Sequence, residues 1–132
     1  MTFHFNARRT TACAFATAMA VAVTGCTGDQ VKPSYSRSSL EPITAIQVSE
    51  YTLQIQFEEP AESMFYAGGI SYIVRGDTMR IVVDRCRINA TCDTMLRRHI
   101  EPGPPRLALQ NIPLLAPRVV MIFADGEEQI FP

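Results

Sequence analysis

From Ile43 onward the apolar residues fall in short blocks, and Gly, Pro, Asn or Asp stands at most of the joints between them. The clearest block is residues 51–57, Tyr-Thr-Leu-Gln-Ile-Gln-Phe, where large apolar and polar side chains alternate without a miss. A strand sends successive side chains to opposite faces, so this block predicts Tyr51, Leu53, Ile55 and Phe57 against a core and Thr52, Gln54 and Gln56 toward water. Residues 70–75 and 78–84 read as a hairpin across Gly76-Asp77, and residues 118–124 and 127–131 as a second across Asp125-Gly126. Both turns carry residues that tolerate the positive φ of mirror-type hairpin turns. Residues 43–48, 64–66 and 107–112 are further strand candidates, and 93–100 has room for one or two helical turns. There is no internal repeat and no sustained helical period. Seven or so short strands in about 90 residues, punctuated by Gly and Pro, predict an all-β fold. The architecture expected is a small antiparallel β-sandwich with immunoglobulin-like layers, without the buried Trp of true immunoglobulin domains, since the chain has no Trp.

Ahead of residue 43 the pattern changes twice. Residues 27–42 are polar, rich in Ser, Gly and Pro and aperiodic, which reads as a flexible tether. Residues 10–23 are an Ala-rich apolar run preceded by Arg8 and Arg9 and followed by Val23-Thr24-Gly25-Cys26. A basic start, an apolar stretch and a small-residue cleavage site are the parts of a secretory signal. The apolar run falls short of the roughly 20 residues that cross a bilayer. Val23-Thr24-Gly25-Cys26 resembles the lipobox of bacterial lipoproteins. That resemblance implies cleavage after Gly25 and acylation of Cys26, with Thr27 rather than Asp next in line implying the outer membrane. Two or three acyl chains would make the anchor effectively permanent. Ordinary secretion with cleavage nearby is the alternative and would leave Cys26 an unmodified thiol. The expected division is residues 1–25 as signal peptide, 26–42 as lipidated N-terminus and tether, and 43–132 as the β-sandwich domain.

Composition adds constraints rather than an activity. With 47% hydrophobic and 19% charged residues the chain is ordinary for a packed domain. The formal net charge is -1, and loss of Arg8 and Arg9 with the signal would make it -3. Neither value suggests nucleic acid as a partner. If Cys13 leaves with the signal and Cys26 carries lipid, Cys86 and Cys92 remain, and in an oxidising compartment they are expected to form a disulfide. Five residues between the thiols is not a usual zinc spacing, and His99 is the only histidine after residue 25, so no metal and no cofactor is expected.

Catalytic candidates are few. No Gly-x-Ser-x-Gly elbow or phosphate-cradling loop occurs, and the single Lys, Lys32, lies in the tether. Glu58, Glu59 and Glu62, and separately Asp125, Glu127 and Glu128, could form acid and base pairs or a cation site, but both groups fall at turns, where carboxylates are usually solvated. Six arginines lie between Arg75 and Arg98. Arg80, Arg85, Arg87, Arg97 and Arg98 are the candidate partner surface, since guanidinium groups suit planar recognition of carboxylates; the protein's own acidic turns could equally satisfy them. Residues 119–123 and 81–83 are apolar on both faces, so something must cover their second face, either the domain's own loops or a partner. The function expected is a non-catalytic, lipid-anchored envelope protein that binds or helps assemble another envelope component, with no small-molecule substrate. A periplasmic inhibitor or immunity lipoprotein acting on a hydrolase or toxin is the alternative.

Overall fold

The computed structural model describes residues 31–33, 35–98 and 107–132. The lipobox, Cys26, His99 and the Pro-rich residues 102–105 lie outside them. One short helix, α1 (Arg37–Leu40), precedes eight strands: β1 (Thr44–Ser49), β2 (Thr52–Glu58), β3 (Phe65–Arg75), β4 (Thr78–Arg87), β5 (Leu96–Arg97), β6 (Leu107–Pro113), β7 (Arg118–Phe123) and β8 (Gly126–Phe131). They form a smaller sheet in the order β1-β2-β6 and a larger one in the order β5-β3-β4-β7-β8. This is the two-layer β-sandwich expected. The neighbouring strands are antiparallel except β4 and β7, which pair in parallel from Thr78 with Arg118 to Ile81 with Met121 and so join the two predicted hairpins side by side.

Alternation decides which side chains enter the core. Leu53, Ile55 and Phe57 of β2 are fully buried and face Ile70 of β3, Met79, Ile81 and Val83 of β4 and Val119, Met121 and Phe123 of β7. Two of the large residues of central β2 have a small inward neighbour, Phe57 opposite Ala108 and Ile55 opposite Ala45, while Leu53 lies opposite the equally buried Ile112. Ala45, and Ala108 together with Gln110 and Ile112, thus take the inward positions of the two edge strands, and Ile46, Leu107 and Leu109 point out.

Several expectations need correction. Tyr51 is not part of the inward row; it sits in the turn before β2 and is exposed. Residues 64–66 are not a separate strand: Phe65 and Tyr66 begin β3, which runs on through a bulge at Ala67/Gly69. No helical turn forms over 93–98; Leu96 and Arg97 add β5 to the edge of β3. Gly76 takes φ 61° as a mirror-type turn needs, but the second turn is made by Ala124 and Asp125 without positive φ, and Gly126 already belongs to β8. The packed domain also starts before residue 43. Tyr35 and Leu40 are buried in the core, the Tyr35 carbonyl accepts a hydrogen bond from the Ala124 amide at 2.8 Å, and the Arg37 amide donates to Asp125 Oδ1 at 3.0 Å. Composition hid this because only two apolar side chains among Ser, Pro and charged residues do the packing.

Candidate binding surface

The arginines singled out from the sequence divide into two sets. Arg98 is not on a surface: its side chain is 4% exposed, Nη2 lies 2.7 Å from Glu59 Oε2, and Nε donates to the Ala67 carbonyl at 3.1 Å. The Arg98–Glu59 approach is a close ion pair out of line for a hydrogen bond. Such a pair stands on position rather than on solvent, so Arg98 is removed from the partner surface. Arg85 is engaged by Glu62, with Nε 2.9 Å from Oε1, and its guanidinium lies 3.8 Å from the centroid of the Phe65 ring. Glu62 also accepts from the Tyr35 hydroxyl at 3.2 Å. Arg80 reaches from β4 to Glu127 on β8 at 2.6 Å, crossing the outer side of β7 at the level of Val120 and Ile122. Arg37, next to the domain entry, pairs with Glu41 and Glu128. Both carboxylate groups, read as solvated turns, are thus largely taken up by arginines, and Glu59 is nearly buried. Among the described residues no group of three or more metal-ligating side chains gathers.

Arg87 and Arg97 form the second set. Both are exposed and neither has a carboxylate partner among the described residues; Arg97 Nη2 donates only to the Cys92 carbonyl at 3.4 Å. They flank the Cys86–Cys92 disulfide, whose Cα atoms are 5.2 Å apart and whose sulfurs are buried against Gly68. A Cβ at Gly68 would come within 2.4 Å of both sulfurs, so the extra residue of the β3 bulge has to be glycine for the bridge to seat. The bridge closes a loop in which residues 87–91 are all exposed. The Ala90 amide donates to the Arg87 carbonyl at 3.3 Å, setting Ile88 and Asn89 at the tip of a turn.

On the larger sheet the second face of the doubly apolar strands is covered. Ile81 and Val83 enter the core, Val82 points the other way and is still only 1% exposed, and Val120 is likewise buried. Beside them Asp84 accepts from the Ser71 hydroxyl at 2.6 Å; burial raises its pKa above the usual aspartate range, against the lowering effect of that hydrogen bond.

The outer face of the smaller sheet is different. Ile46 is 55% exposed, Val48 51%, Leu107 39% and Leu109 53%. The centre of the face is amide: Gln54 lies opposite both Ile46 and Asn111 and donates to Asn111 Oδ1 at 3.2 Å. Glu58, at the end of β2, is the only charged residue in the three strands. The Leu114 amide bonds to the Tyr51 carbonyl at 2.9 Å, which carries the exposed apolar surface on to Tyr51 and Leu115 at one end. Sequence pattern alone missed this face, because Leu107 and Leu109 alternate as inward residues would. The available signal was the inverse one, the small Ala45 and Ala108 in strands whose central neighbour is bulky. Compared with known proteins, the chain matches no family model, no curated protein and no solved structure.

Proposed function

We propose that this chain is a non-catalytic, lipid-anchored module of a bacterial cell envelope, held at the outer membrane on the periplasmic side through Cys26, and that it binds another envelope protein through the outer face of β1, β2 and β6. The observation that carries the reading is the smaller sheet's exposed apolar rows on an almost uncharged surface. Half-exposed apolar rows flanking a neutral amide centre favour an interaction surface, because the centres of protein interfaces are depleted in charge. The lipobox-like Val23-Thr24-Gly25-Cys26 supplies the address. With packing beginning at Tyr35, nine residues, 26–34, separate Cys26 from the domain, and even a fully extended chain of that length spans no more than about 32 Å. That holds the domain close to the headgroups, where partners anchored in the same membrane meet it.

Two measurements test this. Mass spectrometry of the native protein is expected to show an acylated chain beginning at Cys26. A photo-crosslinking amino acid at Leu109 is expected to join the chain covalently to one envelope protein, whereas the same group at exposed Arg75 is not. An unmodified N-terminus elsewhere removes the anchor, and equal labelling from both positions removes the face.

The inhibitor or immunity reading is favoured by one feature, the disulfide-closed loop with Ile88 at its exposed tip. Rigid loops bind clefts with little ordering cost, and an aliphatic side chain is uncommon at such a tip. Photo-crosslinking from Ile88 to a wall hydrolase or toxin, with none from Leu109, would favour it over the sheet face.

A further inference from the structure

The smaller sheet ends in an edge that its sequence does not guard. Exposed edge strands offer unpaired amides and carbonyls to any other strand, and proteins blunt them with charge, proline, shortness or bulges. In the larger sheet, β5 is only two residues long, and β8 carries Glu127 and Glu128, each held by an arginine. In the smaller sheet, β6 ends in Pro113. β1, Thr-Ala-Ile-Gln-Val-Ser, has no charge and no proline, and its bulge at Gln47/Ser49 leaves the stretch from Thr44 to Gln47 regular.

We infer that β1 is the docking edge for β1 of a second copy of this chain, the two pairing antiparallel about a two-fold axis. The choice of occupant follows from charge and symmetry. A two-fold axis normal to the sheet brings residues near the axis close to their own counterparts, so a strand whose charges are all of one sign opposes its own pairing. On β8 the same operation would set Glu127 or Glu128 close to its own copy; on β1 no charge meets itself. An axis through Ala45 keeps the bulge outside the junction and sets Thr44 opposite Ile46 of the second copy, twice, on the outer face. Two β-branched pairs then close the junction, and the smaller sheets merge into one continuous six-stranded face with the Leu107 and Leu109 rows at its ends. Strand pairing alone covers little area. The inference therefore rests on the anchored reading, in which confinement to one membrane plane raises the effective concentration of copies.

The test uses the full chain in its own cells. The double variant T44C/I46C, mildly oxidised, is expected to give a species of twice the mass on a non-reducing gel, while T52C/Q54C on β2, on the same outer face but one strand in, is not. In detergent, I46K is expected to raise the concentration for half-dimerisation at least tenfold by sedimentation, with the fold checked by resistance to proteolysis. No doubled species from T44C/I46C, equal amounts from both pairs, or dimerisation unaltered by I46K overturns the pairing. If it fails while Leu109 still crosslinks to a different protein, the binding face stands and only the second copy is wrong. If the dimer forms and Leu109 reaches nothing but the same chain, the pairing stands and the unlike partner falls.

Discussion

On the larger sheet, the outward Val82 and Val120 are buried, and the charges near them are joined across strands, Arg80 to Glu127 and Asp84 to Ser71. On the smaller sheet, the outward Ile46 and Leu109 meet water, and scarcely any charge is present to be joined. The difference lies in what each set of side chains has to satisfy. Charged residues on the larger sheet serve the domain's own closure, whereas nothing among the described residues covers the apolar side chains on the outer face of the smaller sheet. That contrast moves the functional question away from the arginines, where sequence had placed it, to the neutral face.

The most severe way to break the comparison is to place a charge on the covered face. Val82→Lys sets an ammonium at a residue that is 1% exposed and is expected to cost about 4 kcal/mol, measured by urea unfolding. A cost below about 1 kcal/mol would mean that the larger sheet's outer face is as open as the smaller one's.

The Arg98–Glu59 pair tests whether internal charge pairing is structural. Arg98→Met leaves Glu59 without its partner in a nearly buried site and is expected to cost about 3 kcal/mol. Adding Glu59→Leu removes the orphaned charge and is expected to restore most of that loss. A double variant no more stable than the single one would show that Arg98 acts through its bond to the Ala67 carbonyl instead. Slightly smaller is the disulfide: Cys86→Ser with Cys92→Ser opens a loop of about seven residues, worth about 2.4 kcal/mol by chain entropy. The two-cysteine variant is expected to lose order in residues 87–98 while the smaller sheet keeps its hydrogen-exchange protection.

Asp84 makes a pH-dependent version of the same test. Its folded pKa is raised, first by burial, so the native state holds that proton more tightly than the unfolded chain. Stability from this group is therefore fully present below the ordinary aspartate range and declines as pH rises through that range to the raised value. Asp84→Asn, whose side-chain carbonyl can still accept from Ser71, is expected to remove this decline and raise Tm by a few degrees at neutral pH. Glu128 works in the opposite sense. Its pKa is lowered by the hydrogen bond from Arg37, so its contribution is present above the ordinary glutamate range and is lost as pH falls, though its exposure keeps the effect small.

The sandwich was legible because its signals are local: the alternation of residues 51–57, the Gly76 turn and the spacing of Cys86 and Cys92 each specify a neighbour a few residues away. What depended on distant partners was not. The parallel pairing of β4 with β7, the seating of Tyr35 and Leu40, and the sorting of Arg85 and Arg98 from Arg87 and Arg97 all need the register of strands remote in sequence. Leu107 and Leu109 show the same limit most directly. Their outward direction follows from the inward alternation of Ala108, Gln110 and Ile112 against β2, and the two leucines by themselves do not announce it.

The smallest expected effect on stability is the one that bears most on function. Ile46→Lys and Leu109→Lys replace half-exposed side chains on the open face, so each is expected to change unfolding free energy by no more than about 0.5 kcal/mol. Lys also guards an edge strand against pairing, so solubility at high concentration should rise rather than fall. Set beside Val82→Lys, the same chemical change then separates the two faces by about eightfold in cost. If the open face is a binding surface, these two variants lose crosslinking from neighbouring positions while their melting curves overlay the parent's. Should Ile46→Lys instead unfold the domain as Val82→Lys does, the exposed rows are part of the fold's own closure, and the smaller sheet has no surface to offer a partner.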